Sequence, residues 1–175
     1  VRLASLLELA RSQEIVYMRV IGPGNMRMCP TLYDLANRMA REGYKKFIVD
    51  LKDCTGMDST FMGTLVEIAA LSPPPQDTLM VINPSKRNQN LLESLGLTEV
   101  IRVKPGRTRI PPIEVEVIRD TGAPRDKRIA LTKRAHEHLV RLDKRNRARF
   151  GPFLKQLYKE LGCGCPFTHK PSTKQ

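Results

Sequence analysis

The sequence predicts an α/β protein: a mixed, mostly parallel sheet of about five strands with helices packed against it, plus a C-terminal α-helical extension. Three observations carry that expectation. Short apolar runs such as Phe47–Leu51 and Leu79–Ile82 have strand length, and each is followed by apolar residues recurring at the three-and-four spacing of a helix with one buried face. Strands alternating with helices imply parallel pairing through right-handed crossovers. The charge then divides the chain: up to Pro105 there are 13 basic and 11 acidic residues, beyond it 17 and 7, so most of the net +12 belongs to the last part. This places a boundary near Pro105, with a sheet domain over 1–105, a linker with a candidate edge strand over 106–130, and a basic helical extension ending in a flexible tail over 131–175.

In chain order, Ala4–Leu9 and Glu14–Val20 are separated by the polar break Arg11-Ser12-Gln13, which suggests an antiparallel hairpin. The second arm is β-branched and aromatic, and the first fits a strand or a helix. Gly22-Pro23-Gly24-Asn25 is a turn cluster, and Pro30 suits the first turn of a helix. Leu32, Leu35, Ala36, Met39 and Ala40 describe its buried face, and Gly43 ends it. The central strand starts at Phe47 and is expected to end near Leu51, because Asp53 and Gly56 are turn formers. Beyond it Phe61, Met62, Leu65, Ile68 and Ala69 mark one face of a helix, which Pro73-Pro74-Pro75 stops. Leu79–Ile82 is the next strand. Asn83-Pro84-Ser85 opens a helix with Leu91, Leu92 and Leu95 inward and Gly96 as its stop, and Glu99–Val103 closes the unit.

The chemistry concentrates at Asp58-Ser59-Thr60. Asp58 or Ser59 is the N-cap of the central helix, its side-chain oxygen accepting from an N–H of the first turn above the helix's positive end. A phosphate on Ser59 would sit where backbone donors and the macrodipole already favour negative charge. Ser59 is the first candidate for modification and Thr60 the second.

The order of strand, Asp58-Ser59-Thr60-Phe61-Met62-Gly63-Thr64-Leu65 and helix resembles the signature of the STAS family, which includes domains of sulphate transporters and bacterial anti-sigma factor antagonists. Ile82-Asn83-Pro84, Leu91–Leu97 and Val100-Ile101 match the family's closing helix and strand in order and spacing, so the resemblance spans roughly residues 4–104. It implies a bacterial regulator of transcription that works by partner switching: the hydroxyl after the Asp, Ser59 by position, is phosphorylated by a serine-kinase-like anti-sigma factor that binds the unmodified form. The implied partner surface is Asn25, Asp58, Ser59, Thr60, Phe61 and Met62. Two departures stand out. Phe61 occupies a position where the family usually has Gly, and the loop Pro23-Gly24-Asn25 lacks the acidic residue that antagonists often carry there.

In the extension, Ile113–Val117 alternates as an edge strand or linker would, after Pro111-Pro112. Asp120–Asp126 reads as loop. A helix is expected from Thr132 with Ala135, Leu139 and Leu142 on one side. Phe150, Phe153, Leu154, Leu157, Tyr158 and Leu161 then form an apolar stripe expected to dock on the sheet domain or a second protomer, with a kink or restart at Pro152. Arg141, Lys144, Arg145, Arg147 and Arg149 form a candidate basic patch. This gives the alternative function, an adaptor whose extension binds nucleic acid or an acidic protein. Sequence-specific recognition of nucleic acid is unsupported, because the aromatics of this region belong to the apolar stripe.

No Walker-type loop, Gly-rich dinucleotide turn or triad spacing is present, so no catalysis or cofactor is expected. His136 and His138 lie on different helix faces, and Cys163-Gly164-Cys165 with His169 lacks a common zinc spacing, so no metal is expected. No apolar run is long enough to span a bilayer. No basic-plus-apolar leader precedes the first strand, and four scattered cysteines suit a reducing compartment, so the expectation is a cytoplasmic protein, monomeric or homodimeric, with no membrane partner.

Overall fold

The computed structural model describes residues 5–111, 113–119 and 122–167. The hairpin at the start is β1 (Leu6–Ser12) and β2 (Ile15–Gly24), paired antiparallel, so the first arm is a strand. Helix α1 (Cys29–Arg41) begins with Pro30 in its first turn and buries Leu32, Leu35, Ala36 and Met39. Strand β3 (Lys46–Met57) and helix α2 (Ser59–Ala69) follow, then a short turn of helix, α3 (Pro75–Thr78), and β4 (Leu79–Ile82). Helix α4 (Lys86–Ser94) leads through a 3₁₀ turn at Leu97–Glu99 into β5 (Arg102–Lys104). The extension contributes β6 (Glu116–Arg119), α5 (Arg125–Leu142) and α6 (Lys144–Glu160).

The sheet has six strands in the order β5-β4-β3-β2-β1-β6. β2, β3, β4 and β5 run parallel, and β1 is antiparallel to both β2 and β6. Residues alternate across it. Val16, Met18, Val20, Phe47, Val49, Leu51, Leu79 and Val81 face α1 and α2 in the main core, while Tyr17, Ile48 and Ile82 form a smaller cluster with Ile110 and Val115 on the opposite face.

Several boundaries depart from the sequence reading. β3 does not end near Leu51. It stays paired with β2 as far as Gly24 opposite Met57, two register shifts absorbing the mismatch, so Asp53 and Gly56 lie within the strand. Gly22, read as turn, sits at one of these irregularities with φ of 85°, a value that suits glycine. The last strand of the unit begins at Arg102, because Leu97–Glu99 winds into the 3₁₀ turn. The edge strand forms at Glu116–Arg119 rather than Ile113–Val117, where it reaches the register of β1. Helix α5 starts at Arg125, well before Thr132. Pro112, Asp120, Thr121 and the tail from Thr168, with His169, lie outside the described residues.

Helix α6 runs through Pro152 as one element, capped by Asp143, whose side chain accepts from the Arg145 N–H. Its apolar stripe does not dock as a whole on the sheet unit. Leu154 and Tyr158 are buried with Val140 of α5 in a cluster of their own, and Phe153 is 43% exposed. The reason is geometric: α5 lies between α6 and the sheet unit, presenting Leu131 and Leu139 to the main core and Val140 to α6.

Candidate functional site

The site begins where β2 and β3 end side by side and α2 starts. Asp58 has extended backbone (φ −97°, ψ 171°) and is the N-cap: its Oδ1 accepts from the Phe61 N–H at 2.8 Å. Its Oδ2 accepts from the Met26 N–H, also at 2.8 Å, and its own N–H donates to the Gly24 carbonyl at 3.0 Å. One carboxylate therefore fixes both the start of α2 and the loop carrying Asn25. That loop is tight. Asn25 Oδ1 accepts from the Arg27 N–H, and a Cβ on Gly24 would lie 3.0 Å from the Phe61 ring.

Ser59 is the first residue of α2 and is half-buried. Its Oγ lies 2.9 Å from His136 Nε2, and His136 Nδ1 lies 2.8 Å from the Thr132 carbonyl oxygen. A carbonyl only accepts, so Nδ1 carries the proton; in the neutral ring Nε2 accepts, and the Ser59 hydroxyl donates to it. Burial pushes the His136 pKa below its ordinary value, with the Thr132 carbonyl and the Asp58 charge opposing that shift. The rings of Phe150 and Phe153 flank the imidazole, at centroid distances of 5.2 and 4.6 Å.

Of the six residues assigned to a partner surface, Asp58, Ser59 and Asn25 come together at this corner. Thr60, Phe61 and Met62 are buried. The Phe61 ring is fully enclosed in the main core beneath Gly24. Arg141, Lys144, Arg145, Arg147 and Arg149 are all exposed or partly exposed where α5 turns into α6. Arg145 folds back on Asp143, and Arg141 lies over the Phe167 ring at 5.4 Å.

The sequence reading gave α2 one buried face, but every residue from Thr60 to Ala69 is buried. The outer face is roofed by α5. Gly63 permits this, since a Cβ there would lie 2.3 Å from the Ala135 carbonyl oxygen. Glu67 of α2 accepts from Arg134 of α5 at 2.7 Å, and Lys127 of α5 pairs with Asp34 of α1. At the far end, buried Asn146 of α6 donates to the carbonyls of Leu95 and Leu139, each at 2.9 Å, tying α6 to both α4's end and α5. His136, Gly63 and Asn146 were missed as site residues. A signal existed for the roof: Gly63, Thr64 and Val66 add uncharged residues to the apolar face, so that Glu67 is the one charged residue of α2, the mark of a helix buried nearly all round.

The model of the STAS domain matches residues 7–109. The chain belongs to the STAS domain family. The match covers the sheet as far as β5 and the helices α1 to α4, and leaves β6, α5 and α6 outside it. Solved STAS-fold structures agree in architecture. An anti-sigma factor antagonist from Mycobacterium paratuberculosis superposes with a TM-score of 0.52 at 14% identity, over 58% of this chain and 87% of that one. The anti-sigma factor antagonist SpoIIAA in its unphosphorylated form gives 0.51 at 15% identity, over 56% and 87%. No curated protein matches the chain. Among the described residues, no helix is long and apolar enough to cross a membrane.

Proposed function

We propose that the protein is a regulatory binding module of the anti-sigma factor antagonist type, in which phosphorylation of Ser59 switches binding to a serine-kinase-like anti-sigma factor. The observation that supports this most is the placement of Ser59 itself. Its hydroxyl is the first side chain of α2, beside a cap in which Asp58 fixes both the helix end and the Asn25 loop. A phosphate there gains the unpaired N–H groups of the first turn and the positive end of the macrodipole. Nearly two negative charges added beside Asp58 change the surface a partner meets. Thr60 is the weaker candidate because it is buried. The solved antagonists of the same fold support the regulatory class, and the site residues of this chain carry the rest.

The test is fragmentation mass spectrometry of the tagged protein recovered from its native cells, comparing wild type with Ser59→Ala. Phosphate on Ser59 that disappears in the variant is the expected result. Phosphate on Thr60 alone, or none across growth phases and stress conditions, would reduce Asp58-Ser59 to a structural cap.

A further inference from the structure

The surface that the proposed switch would present is already occupied from within the chain. Helix α5 lies along α2 with Ala135 against Gly63 and His136 over Ser59, and it buries Leu131, Thr132, Ala135 and Leu139 in doing so. Helix α6 closes behind it: Phe150 and Phe153 wall the imidazole, and Asn146 bonds across to Leu95. These helices lie beyond residue 109, where the family match ends, so the roof is an addition to the STAS unit rather than part of it.

We propose that the α2 face carrying Ser59 is a helix-docking surface whose resident occupant is α5, latched by α6, and that a protein partner engages it by displacing this hairpin. The surface specifies its ligand. It takes a helix whose main chain can lie against Gly63 as Ala135 does, with a small residue at that fully buried position, followed at the next position by a side chain able to accept a hydrogen bond from the Ser59 hydroxyl, as His136 does. A side chain at position 63 would drive the two backbones apart, because a Cβ there would lie 2.3 Å from the Ala135 carbonyl oxygen, a main-chain atom of the docked helix. An acidic side chain is the natural partner for the cation released when Arg134 leaves Glu67, and an arginine or lysine the natural partner for Glu67 itself, so a competing helix repeats the Arg134 position as well.

The closed hairpin and a phosphate on Ser59 exclude one another. At 2.9 Å from Oγ the imidazole occupies the volume that the phosphorus and its oxygens require, and the two phenylalanine rings leave it little room to swing aside. The hairpin therefore shields the unmodified serine, and modification holds the hairpin open. This second role rests on the phosphoserine switch proposed above, whereas the docking itself does not.

Bulky-maleimide labelling separates the two. In the full chain carrying Ser59→Cys and Cys165→Ser, exposed Cys163 serves as the internal reference for reaction with polyethylene-glycol maleimide. The thiol introduced at position 59 is expected to react at least about tenfold more slowly than Cys163, a protection set by hairpin opening. Adding Gly63→Ala, or in a separate chain Asn146→Ala, should bring the two rates together while circular dichroism shows the sheet intact. An introduced thiol that reacts as fast as Cys163 in the closed chain overturns the docking and leaves the phosphorylation of Ser59 standing. Ser59→Glu in the otherwise native chain is expected to raise hydrogen exchange across 125–160 and leave the strands unchanged. Unchanged exchange in α5 overturns the mutual exclusion.

Discussion

In the sheet unit, buried side chains from β1 to β4, α1, α2 and α4 form one continuous cluster, whereas the buried apolar side chains of α6 belong to a separate one of Val140, Leu154 and Tyr158, with partly buried Phe150 touching both. α5 belongs to both. Its Leu131 and Leu139 extend the main core, and its Val140 seeds the small one. A unit whose apolar contacts are continuous opens near the global unfolding free energy, while one fastened by a few side chains and a hydrogen-bonded asparagine opens at lower cost. The difference predicts an order of opening, α6 first, α5 next and the sheet last.

The sharpest way to break that ordering is to weaken the sheet unit itself. Phe47 is 1% exposed at the start of β3, so Phe47→Ala is expected to cost about 3–5 kcal/mol in urea unfolding, in a single transition that includes the hairpin. A hairpin that unfolds unaffected would mean the two regions are uncoupled. A smaller effect is expected at the latch. Asn146→Ala leaves the Leu95 and Leu139 carbonyls without their side-chain donor, and should cost about 1–3 kcal/mol, with the gain in hydrogen exchange concentrated in α5 and α6. Equal gains in β3 would contradict the separation of the two regions.

The smallest effect is expected from pH. Burial lowers the pKa of both His136 and His138 in the folded chain, so the folded state holds the neutral rings and binds fewer protons than the unfolded state. Stability from this source is therefore full above the unfolded histidine pKa of about 6.5, falls as pH drops through it, and flattens below the folded values. Asp58 near His136, and Glu67 and Glu137 near His138, favour the charged forms and soften the fall; Arg134 and Arg141 work against them at His138. His136→Gln is expected to reduce the slope of stability between about pH 7 and 5, measured by urea titration. An unchanged slope would place the titration elsewhere.

Much of the STAS unit was legible because its signals are local. Leu32, Leu35, Ala36 and Met39 repeat at helical spacing and lie on the buried face of α1, and the pair Asp58-Ser59 marked the start of α2 by residue type, with the structure placing the cap at Asp58. What was not legible depends on partners distant in sequence. β3 continues past Asp53 because β2 is beside it, and no residue within the segment says so. His136 sits 77 residues from Ser59, inside a His136-Glu137-His138 run that could be tested for metal spacing but not for a hydroxyl on another helix. Phe153 fitted the apolar stripe of α6, yet the position of α5 leaves it partly in solvent. The basic residues of the extension face solvent as their charge requires, a property that needs no tertiary information.

Strand β6 has a bearing on how this protein behaves in concentrated solution. It pairs along Leu6–Leu9 of β1, a strand of seven residues whose Leu6, Leu7, Leu9 and Ala10 are apolar, and replaces it at the margin of the sheet. The two strands now at the margins, β5 and β6, are three and four residues long and carry Arg102, Lys104, Glu116 and Arg119. Short, charged margins discourage strand-to-strand association between molecules. A chain cut after residue 109, at the end of the family match, would uncover the backbone donors and acceptors of β1 and so trade a smaller protein for one prone to self-association and precipitation.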